Sequence, residues 1–379
     1  MIEIKGKYNE IKAYTDIVEE SCLTQLYNIC RQKIFEGTKI RIMPDTHTGK
    51  GSVIGFTCIG LEYVIPNIIG SDIGCGMEVT ELGDINIDFE KLDKFIMNNI
   101  PASTNINKKI DERIGKHWRE DLKSLSEKLN HDLEKNLRAL GSLGGGNHFI
   151  EINRGNNGEK YLVIHSGSRR LGNDTALYHQ KKAEKYCDDM RKESDRDSIY
   201  FVSKELSFLE DDNAQEYLED MKLVQKYAEL NRKIIAARIV EFLGLDYGSS
   251  EKFTVVHNYY NFEDKIIRKG AISAHKNEKI IIPVNMRDGS ILAIGKGNEE
   301  WNLSAPHGAG RLMSRGRAKE NISLERFRKS MKGVYTTSVK ASTVDEAPMA
   351  YKPIEEIMKY LDNTVEVIEI IKPIYNFKA

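Results

Sequence analysis

Short β-like runs and longer helical stretches alternate along this chain, and several runs open or close on glycine, histidine or asparagine. Apolar spacing predicts a helix over 17–36, then a strand over 39–43 that leads into a loop from Pro44 to Gly51. Residues 64–70 and 77–82 read as short strands flanking Gly70-Ser71-Asp72-Ile73-Gly74-Cys75-Gly76. Asp88 precedes a stripe of Phe89, Leu92, Phe95 and Ile96, so it caps a helix broken at Pro101. Residues 106–139, rich in Lys, Glu and Leu, read as mostly helical with a solvated face. Strands are expected over 149–152, 161–164, 253–256 and 279–284. Between the second and third of these the chain is helical and charged. Leu230, Ile234, Ile235, Ile239 and Phe242 fall at helix spacing there, stopped by Gly244. Pro353 opens a helix through Leu361, and the β-branched run from Val365 to Ile371 is a last strand stopped by Pro373. The expected fold class is mixed α/β, as one large domain over 1–379 with no linker and no repeat.

Composition narrows the class. Forty percent apolar content and a formal charge of −1 are ordinary for a globular chain, so net charge gives no argument for a nucleic-acid partner. Five scattered cysteines argue for a reducing compartment and against a disulfide framework. The start of the chain lacks a signal-peptide layout and no apolar run approaches membrane-spanning length, so a cytoplasmic location is expected.

The candidate chemistry gathers in the loops. Asp72 and Cys75 lie three positions apart among glycines, and mixed O/N/S ligation suits divalent first-row metals. Of nine histidines, His117, His131, His179 and His275 sit in charged or polar stretches and read as solvated. His148, His165 and His257 each stand at a strand terminus, where sites are built. Five such ligands with one thiolate are enough for two ions sharing a bridge, a layout suited to phosphoryl chemistry. His307, between Pro306 and Gly308-Ala309-Gly310-Arg311, suits either an exposed turn histidine or a nucleophile on phosphorus. The 44–51 loop is no phosphate-binding loop, because Gly51 occupies the Ser/Thr position; Asp45 and His47 are either supporting groups for a site or turn formers. Arg311, Arg315, Arg317 and Lys319, with Arg169 and Arg170, are either a phosphate track or a solvated face.

These motifs taken together resemble the RtcB family of RNA-splicing ligases along essentially the whole chain. The resemblance rests on Pro44-Asp45-x-His47-x-Gly49-Lys50-Gly51, Asp72-Ile73-Gly74-Cys75-Gly76, Gly144-Gly145-Gly146-Asn147-His148-Phe149-x-Glu151 and His165-Ser166-Gly167-Ser168-Arg169. It continues in His257-Asn258, Arg268-Lys269-Gly270-Ala271, His307-Gly308-Ala309-Gly310-Arg311 and Asp345-Glu346-Ala347-Pro348-x-Ala350-Tyr351-Lys352. It implies stacked mixed β-sheets ringed by helices and a two-manganese centre held by Asp72, Cys75, His148, His165 and His257. It implies GTP as cosubstrate, with His307 taking GMP. The nucleotide is then expected against Asn147, His148, Phe149, Ile150, Glu151, His257, Asn258, Pro283, Val284, Asn285, Met286, Ser290, His307, Gly308, Ala309, Gly310, Tyr351 and Lys378. Arg169 falls at the RNA 3′-phosphate position. The expected partners are RNA with 3′-phosphate (or 2′,3′-cyclic phosphate) and 5′-hydroxyl ends and, as a further candidate, an activator protein; neither a membrane nor DNA is expected. The chain's length points to a bacterial-type branch serving RNA repair, with tRNA splicing as the other role.

Two departures stand out. Pro283-Val284-Asn285-Met286 replaces the family's Pro-Gly-Ser-Met, leaving the Asn285 amide to replace a serine contact, and the chain ends Lys378-Ala379 where the family often ends Lys-Gly. A two-metal phosphoesterase or nuclease, and an RNA-binding relative with impaired catalysis, are the alternative functions.

Overall fold

The computed structural model describes residues 1–16 and 18–378; the expected helix start at residue 17 and the terminal Ala379 lie outside them. Two large sheets carry the fold. The first has six strands in the order Ile2–Lys5, Glu10–Ala13, Lys39–His47, Ile54–Ile59, Ile267–Lys269 and Asn258–Tyr260. The second has seven, antiparallel throughout, in the order Lys279–Asn285, Gly289–Gly295, Val365–Phe377, Phe149–Arg154, Lys160–Ser166, Gly76–Gly83 and Lys252–Val256. A two-stranded ribbon of Ala271–Ser273 and Ser304–Pro306 completes the β structure.

Three single residues join these layers. His257 separates Lys252–Val256 from Asn258–Tyr260, so the chain passes from one large sheet to the other at that imidazole. Gly270 separates the six-stranded sheet from the ribbon, and its N–H donates to the Asn258 side-chain oxygen at 2.9 Å. His307 directly follows the ribbon's second strand.

Period-two alternation sorts the side chains of the seven-stranded sheet. Ile150, Ile152, Leu162 and Ile164 pack with Leu92 and Ile96 of helix Phe89–Asn99 and with Ile235, Ile239 and Val240 of helix Asp211–Phe242. Phe149, Tyr161, Val163, Met77 and Val79 face the other way, onto Ile272 and Ala305 of the ribbon. Asp88 caps Phe89–Asn99 by accepting from the Lys91 N–H at 3.1 Å. Helix Asp211–Phe242 ends in paired turns from Gly244 N–H to Glu241 O and from Leu245 N–H to Val240 O. Phe242, at the end of the apolar stripe, stays 40% exposed and stacks on Phe95.

The structure departs from the sequence pattern in several places, and the first helix is Glu20–Cys30 followed by a short turn of helix at Lys33–Phe35. Residues 64–70 are not a strand: Val64 makes one bridge to Leu209 and Pro66–Ile69 is a short helix, with Pro66 pre-set for its first turn. Strand Lys39–His47 runs through Pro44, so Asp45 and His47 project from a strand end and not from a turn. Pro373 does not stop the last strand, which runs to Phe377 with a register shift between Pro373 and Tyr375 that accommodates the missing N–H. His131 and His179 are not solvated. His179 is fully buried with Nε2 2.7 Å from Asp220, and His131 lies 2.8 Å from Asp174. His117 is exposed, and the half-exposed His275 meets Asp264 at 3.0 Å. Among the described residues no helix is long and apolar enough to cross a membrane.

Candidate metal centre and nucleotide cleft

Antiparallel pairing delivers four donors to one rim of the seven-stranded sheet. His148 precedes Phe149–Arg154, His165 lies near the end of Lys160–Ser166, Cys75 precedes Gly76–Gly83 and His257 follows Lys252–Val256. These strands are neighbours in that order, so residues far apart in sequence meet at one edge. Cys75 Sγ lies 3.3 Å from Nε2 of both His148 and His165. The Nε2 atoms of His165 and His257 face each other at 2.9 Å. Asp72 Oδ2 stands 3.1 Å from His148 Nε2, and its Oδ1 accepts from the Ser168 N–H at 3.2 Å. Gly167 permits this approach, since a Cβ there would fall 2.2 Å from Asp72 Oδ1.

The surroundings set the protonation states. His148 Nδ1 donates to the Leu143 carbonyl at 3.0 Å, which leaves its Nε2 lone pair facing Cys75 and Asp72. Burial, followed by neighbouring imidazoles, holds His165 and His257 well below the ordinary histidine value, so both are neutral, the form in which an imidazole can bind a metal. Burial and then the Asp72 charge push the Cys75 thiol well above its ordinary value; a divalent cation reverses that balance. Among the described residues His257 Nδ1 is buried without a hydrogen-bond partner.

One helix with no candidate ligand holds the rim in place. Asn231 accepts from the Gly141 and Ser142 N–H groups at 2.8 and 3.1 Å and donates to Ser166 Oγ and the Gly167 carbonyl at 3.0 and 3.1 Å. The fully buried Arg232 donates to the carbonyls of Gly74 and Ser166 at 2.8 and 3.0 Å. Neither was singled out from the sequence, although two polar residues beside Leu230 and Ile234 interrupt an apolar stripe, which is itself a signal.

His307 stands beside this rim, its ring centroid 4.8 Å from that of His257. Its Nδ1 meets Asp45 Oδ2 at 2.6 Å, and its backbone N–H reaches the same oxygen at 3.2 Å. Asp45 is completely buried. The carboxylate accepts a hydrogen bond from Nδ1–H, the tautomer that leaves the lone pair on Nε2. Gly310, at φ 73°, is needed because a Cβ would fall 2.7 Å from the Asp45 carbonyl oxygen.

His307 opens onto a cleft with about 870 Å³ of empty volume, including space open to solvent. Of the residues expected against a nucleotide, Asn147, Phe149, Glu151, Pro283, Val284, Asn285, Met286, Gly308, Ala309, Gly310, Tyr351 and Lys378 line it. Ile150 does not, because alternation turns it into the helix-covered core. His148, His257, Asn258 and Ser290 also lie off its wall; Ser290 is buried with its hydroxyl unpartnered. His47, Arg311, Arg315 and Glu346 are added to the lining. At the far end Glu346 gathers Lys378, Arg311, Arg315 and the Tyr351 hydroxyl, which outweigh burial and hold its carboxyl at about 2. Burial pushes Glu151 up to about 7 against its bonds from Asn376 and Asn153. Asn285 spends its side chain on its own turn, donating to Asp288 at 2.8 Å and accepting from the N–H groups of Arg287 and Asp288. Arg169 opens helix Arg169–Lys192 and reaches Ser142 Oγ and the Ser103 carbonyl, beside the His148 loop.

A family model described as tRNA-splicing ligase RtcB matches residues 25–379. The chain belongs to the RtcB family. It is 31% identical to the RNA-splicing ligase RtcB of Escherichia coli K12 and to RtcB1 of E. coli ATCC 25922, in each case over 96% of this chain and 95% of the relative. The tRNA-splicing ligase RtcB of Nanoarchaeum equitans is 27% identical over 84% of this chain and 83% of its own. As an RtcB-family member the chain is an RNA ligase, and the Cys75, His148 and His165 cluster marks it as a candidate metal-binding enzyme.

Proposed function

We propose that this RtcB-family chain is a GTP- and manganese-dependent ligase that joins an RNA 3′-phosphate, or a 2′,3′-cyclic phosphate, to a 5′-hydroxyl through a GMP adduct on His307. The observation that supports this reading is the placement of one bare imidazole nitrogen between a convergent donor set and a nucleotide-sized cleft. The donor set fits a metal centre. Two neutral imidazoles face each other at 2.9 Å, a thiol and a carboxylate stand beside them, and one buried ring nitrogen has no protein partner. Asp72, Cys75, His148, His165 and His257 would hold the ions. When bound, manganese supplies charge neutralisation for the phosphates.

The chain's own residues do the rest. His307 Nε2 attacks the α-phosphorus of GTP while Asp45 keeps the Nδ1 proton, and the bond to pyrophosphate breaks. A 2′,3′-cyclic end is first opened by water, whose oxygen bonds to phosphorus as the bond to the 2′-oxygen breaks and that oxygen takes the proton. The GMP then passes to an oxygen of the RNA 3′-phosphate, which frees Nε2 again. A 5′-hydroxyl finally displaces GMP to form the phosphodiester. Arg169, which reaches Ser142 beside the His148 loop, would take the 3′-phosphate. Glu151 and Lys378 line the cleft, a carboxylate that can accept from the N–H groups of a base and an ammonium that can donate to its carbonyl.

The test is incubation with α-labelled GTP and Mn²⁺. A covalent protein–GMP adduct, acid-labile and base-stable, is expected in the wild type and absent in His307→Ala. Hydrolysis of RNA or phosphoesters without any adduct, and at an equal rate in His307→Ala, would replace this reading with a two-metal phosphoesterase.

A further inference from the structure

Besides His307 and His165, the cleft holds an imidazole that the scheme above leaves idle. We infer that His47 is a catalytic residue of the sealing step, with its Nε2 taking the proton of the RNA 5′-hydroxyl as that oxygen attacks phosphorus. The inference rests on the ligase reading and adds a role to it.

The geometry comes from one shared residue. Asp45 offers its carboxylate to His307 Nδ1 at 2.6 Å and its backbone carbonyl to His47 Nδ1 at 3.1 Å. A carbonyl oxygen only accepts, so His47 Nδ1 carries the proton and Nε2 carries the lone pair. His47 lines the cleft beside His307, and among the described residues its Nε2 makes no hydrogen bond. The charged and titratable groups facing it are His307, Asp45 and Arg311. Burial outweighs the hydrogen bond to the Asp45 carbonyl and the Asp45 carboxylate and keeps the ring below its ordinary value. A neutral imidazole with an unused lone pair is a proton acceptor.

Counting protons places it in the sequence of steps. The attack of His307 on GTP uses a lone pair already free, and the 3′-phosphate oxygen that takes GMP is already anionic. Neither nucleophile has a proton to lose. The 5′-hydroxyl does: its oxygen forms the new P–O bond, the bond to GMP breaks, GMP leaves with the electron pair, and the hydroxyl proton must go to a base. The other bases at the cleft are spoken for. Asp45 is bound to His307, Glu346 is held anionic by Lys378 and two arginines, His165 faces the metal donors, and Glu151 is bonded to Asn376 and Asn153.

The experiment separates the steps with RNA already activated as the 3′-phosphate–GMP anhydride, mixed with a 5′-hydroxyl RNA under single-turnover conditions. For His47→Gln and His47→Ala, sealing of the activated RNA is expected to fall roughly 10²–10⁴-fold. Formation of the His307–GMP adduct should fall less than tenfold, which also shows that the variants fold. The wild-type sealing rate should decline on an acid limb lying below the ordinary imidazole range, and that limb should vanish in His47→Gln. Sealing within tenfold of wild type, an acid limb that persists in His47→Gln, or equal losses in adduct formation and sealing would each overturn the assignment. No adduct in the wild type would instead overturn the ligase reading beneath it.

Discussion

Asp45 offers a direct way to test how His307 is kept ready. Its Oδ2 accepts two N–H groups of His307, the ring Nδ1 at 2.6 Å and the backbone nitrogen at 3.2 Å, in a space closed to water. In Asp45→Asn the backbone N–H still selects the amide oxygen, so the ring tautomer survives and only the charge is lost. Charge-assisted bonds are about twice as strong as neutral ones, so the change removes about 1–1.5 kcal/mol, roughly tenfold in rate. Asp45→Ala removes the acceptor altogether. That leaves two buried donors and lets the ring take the other tautomer, at a cost of about 3–5 kcal/mol or roughly 10²–10⁴-fold. Rapid-quench measurement of adduct formation with labelled GTP reads both values, and thermal melting confirms that each variant is folded. The expected order is Asp, then Asn, then Ala. If Asn is as slow as Ala, or Ala lies within threefold of wild type, Asp45 does not govern the nucleophile.

Metal addition should stabilise the wild type by about 2.7 kcal/mol at a hundredfold excess over Kd, seen as a melting shift of several degrees. Cys75→Ala should lose that shift, and an equal shift in both proteins would remove Cys75 from the metal centre. Because burial pushes Glu151 up to about 7, its carboxyl is protonated below that pH and accepts hydrogen bonds on both oxygens only above it. GTP affinity should therefore rise as pH increases through this window in the wild type, and a titration of Glu151→Gln should come out flat. Arg232→Met strands the carbonyls of Gly74 and Ser166, and urea unfolding should show a loss of about 2–5 kcal/mol. A loss under about 1 kcal/mol would mean that other groups hold those loops.

The parts of the site that sequence reveals are those whose neighbours along the chain explain them. Asp72 and Cys75 share a turn, closed by the Cys75 N–H on the Asp72 carbonyl at 3.1 Å, and three histidines announce themselves at strand ends. What sequence hides is partnership across the fold. Asp45 pairs with a residue 262 positions away, and local spacing gives it the look of a turn former. His131 and His179 lie in charged stretches and read as solvated, yet pairing with Asp174 and Asp220 draws His131 partly and His179 fully out of solvent. Asn285 has the right chemistry to touch a nucleotide, but Asp288 and two nearby N–H groups take it first. Pro66 and Pro373 show a related limit. Proline marks an irregularity in both places, but only the surrounding structure decides whether it starts a helix or a bulge.

Asn231 and Arg232 stand on consecutive positions of one rod and grip the loops carrying Cys75, His148 and His165 together. The spacing between those donors is thus inherited from a segment that touches no reactant. A small shift of the rod along its axis would disturb several donor–donor distances at once. Substitutions in the helix are therefore constrained by the candidate site as much as by packing.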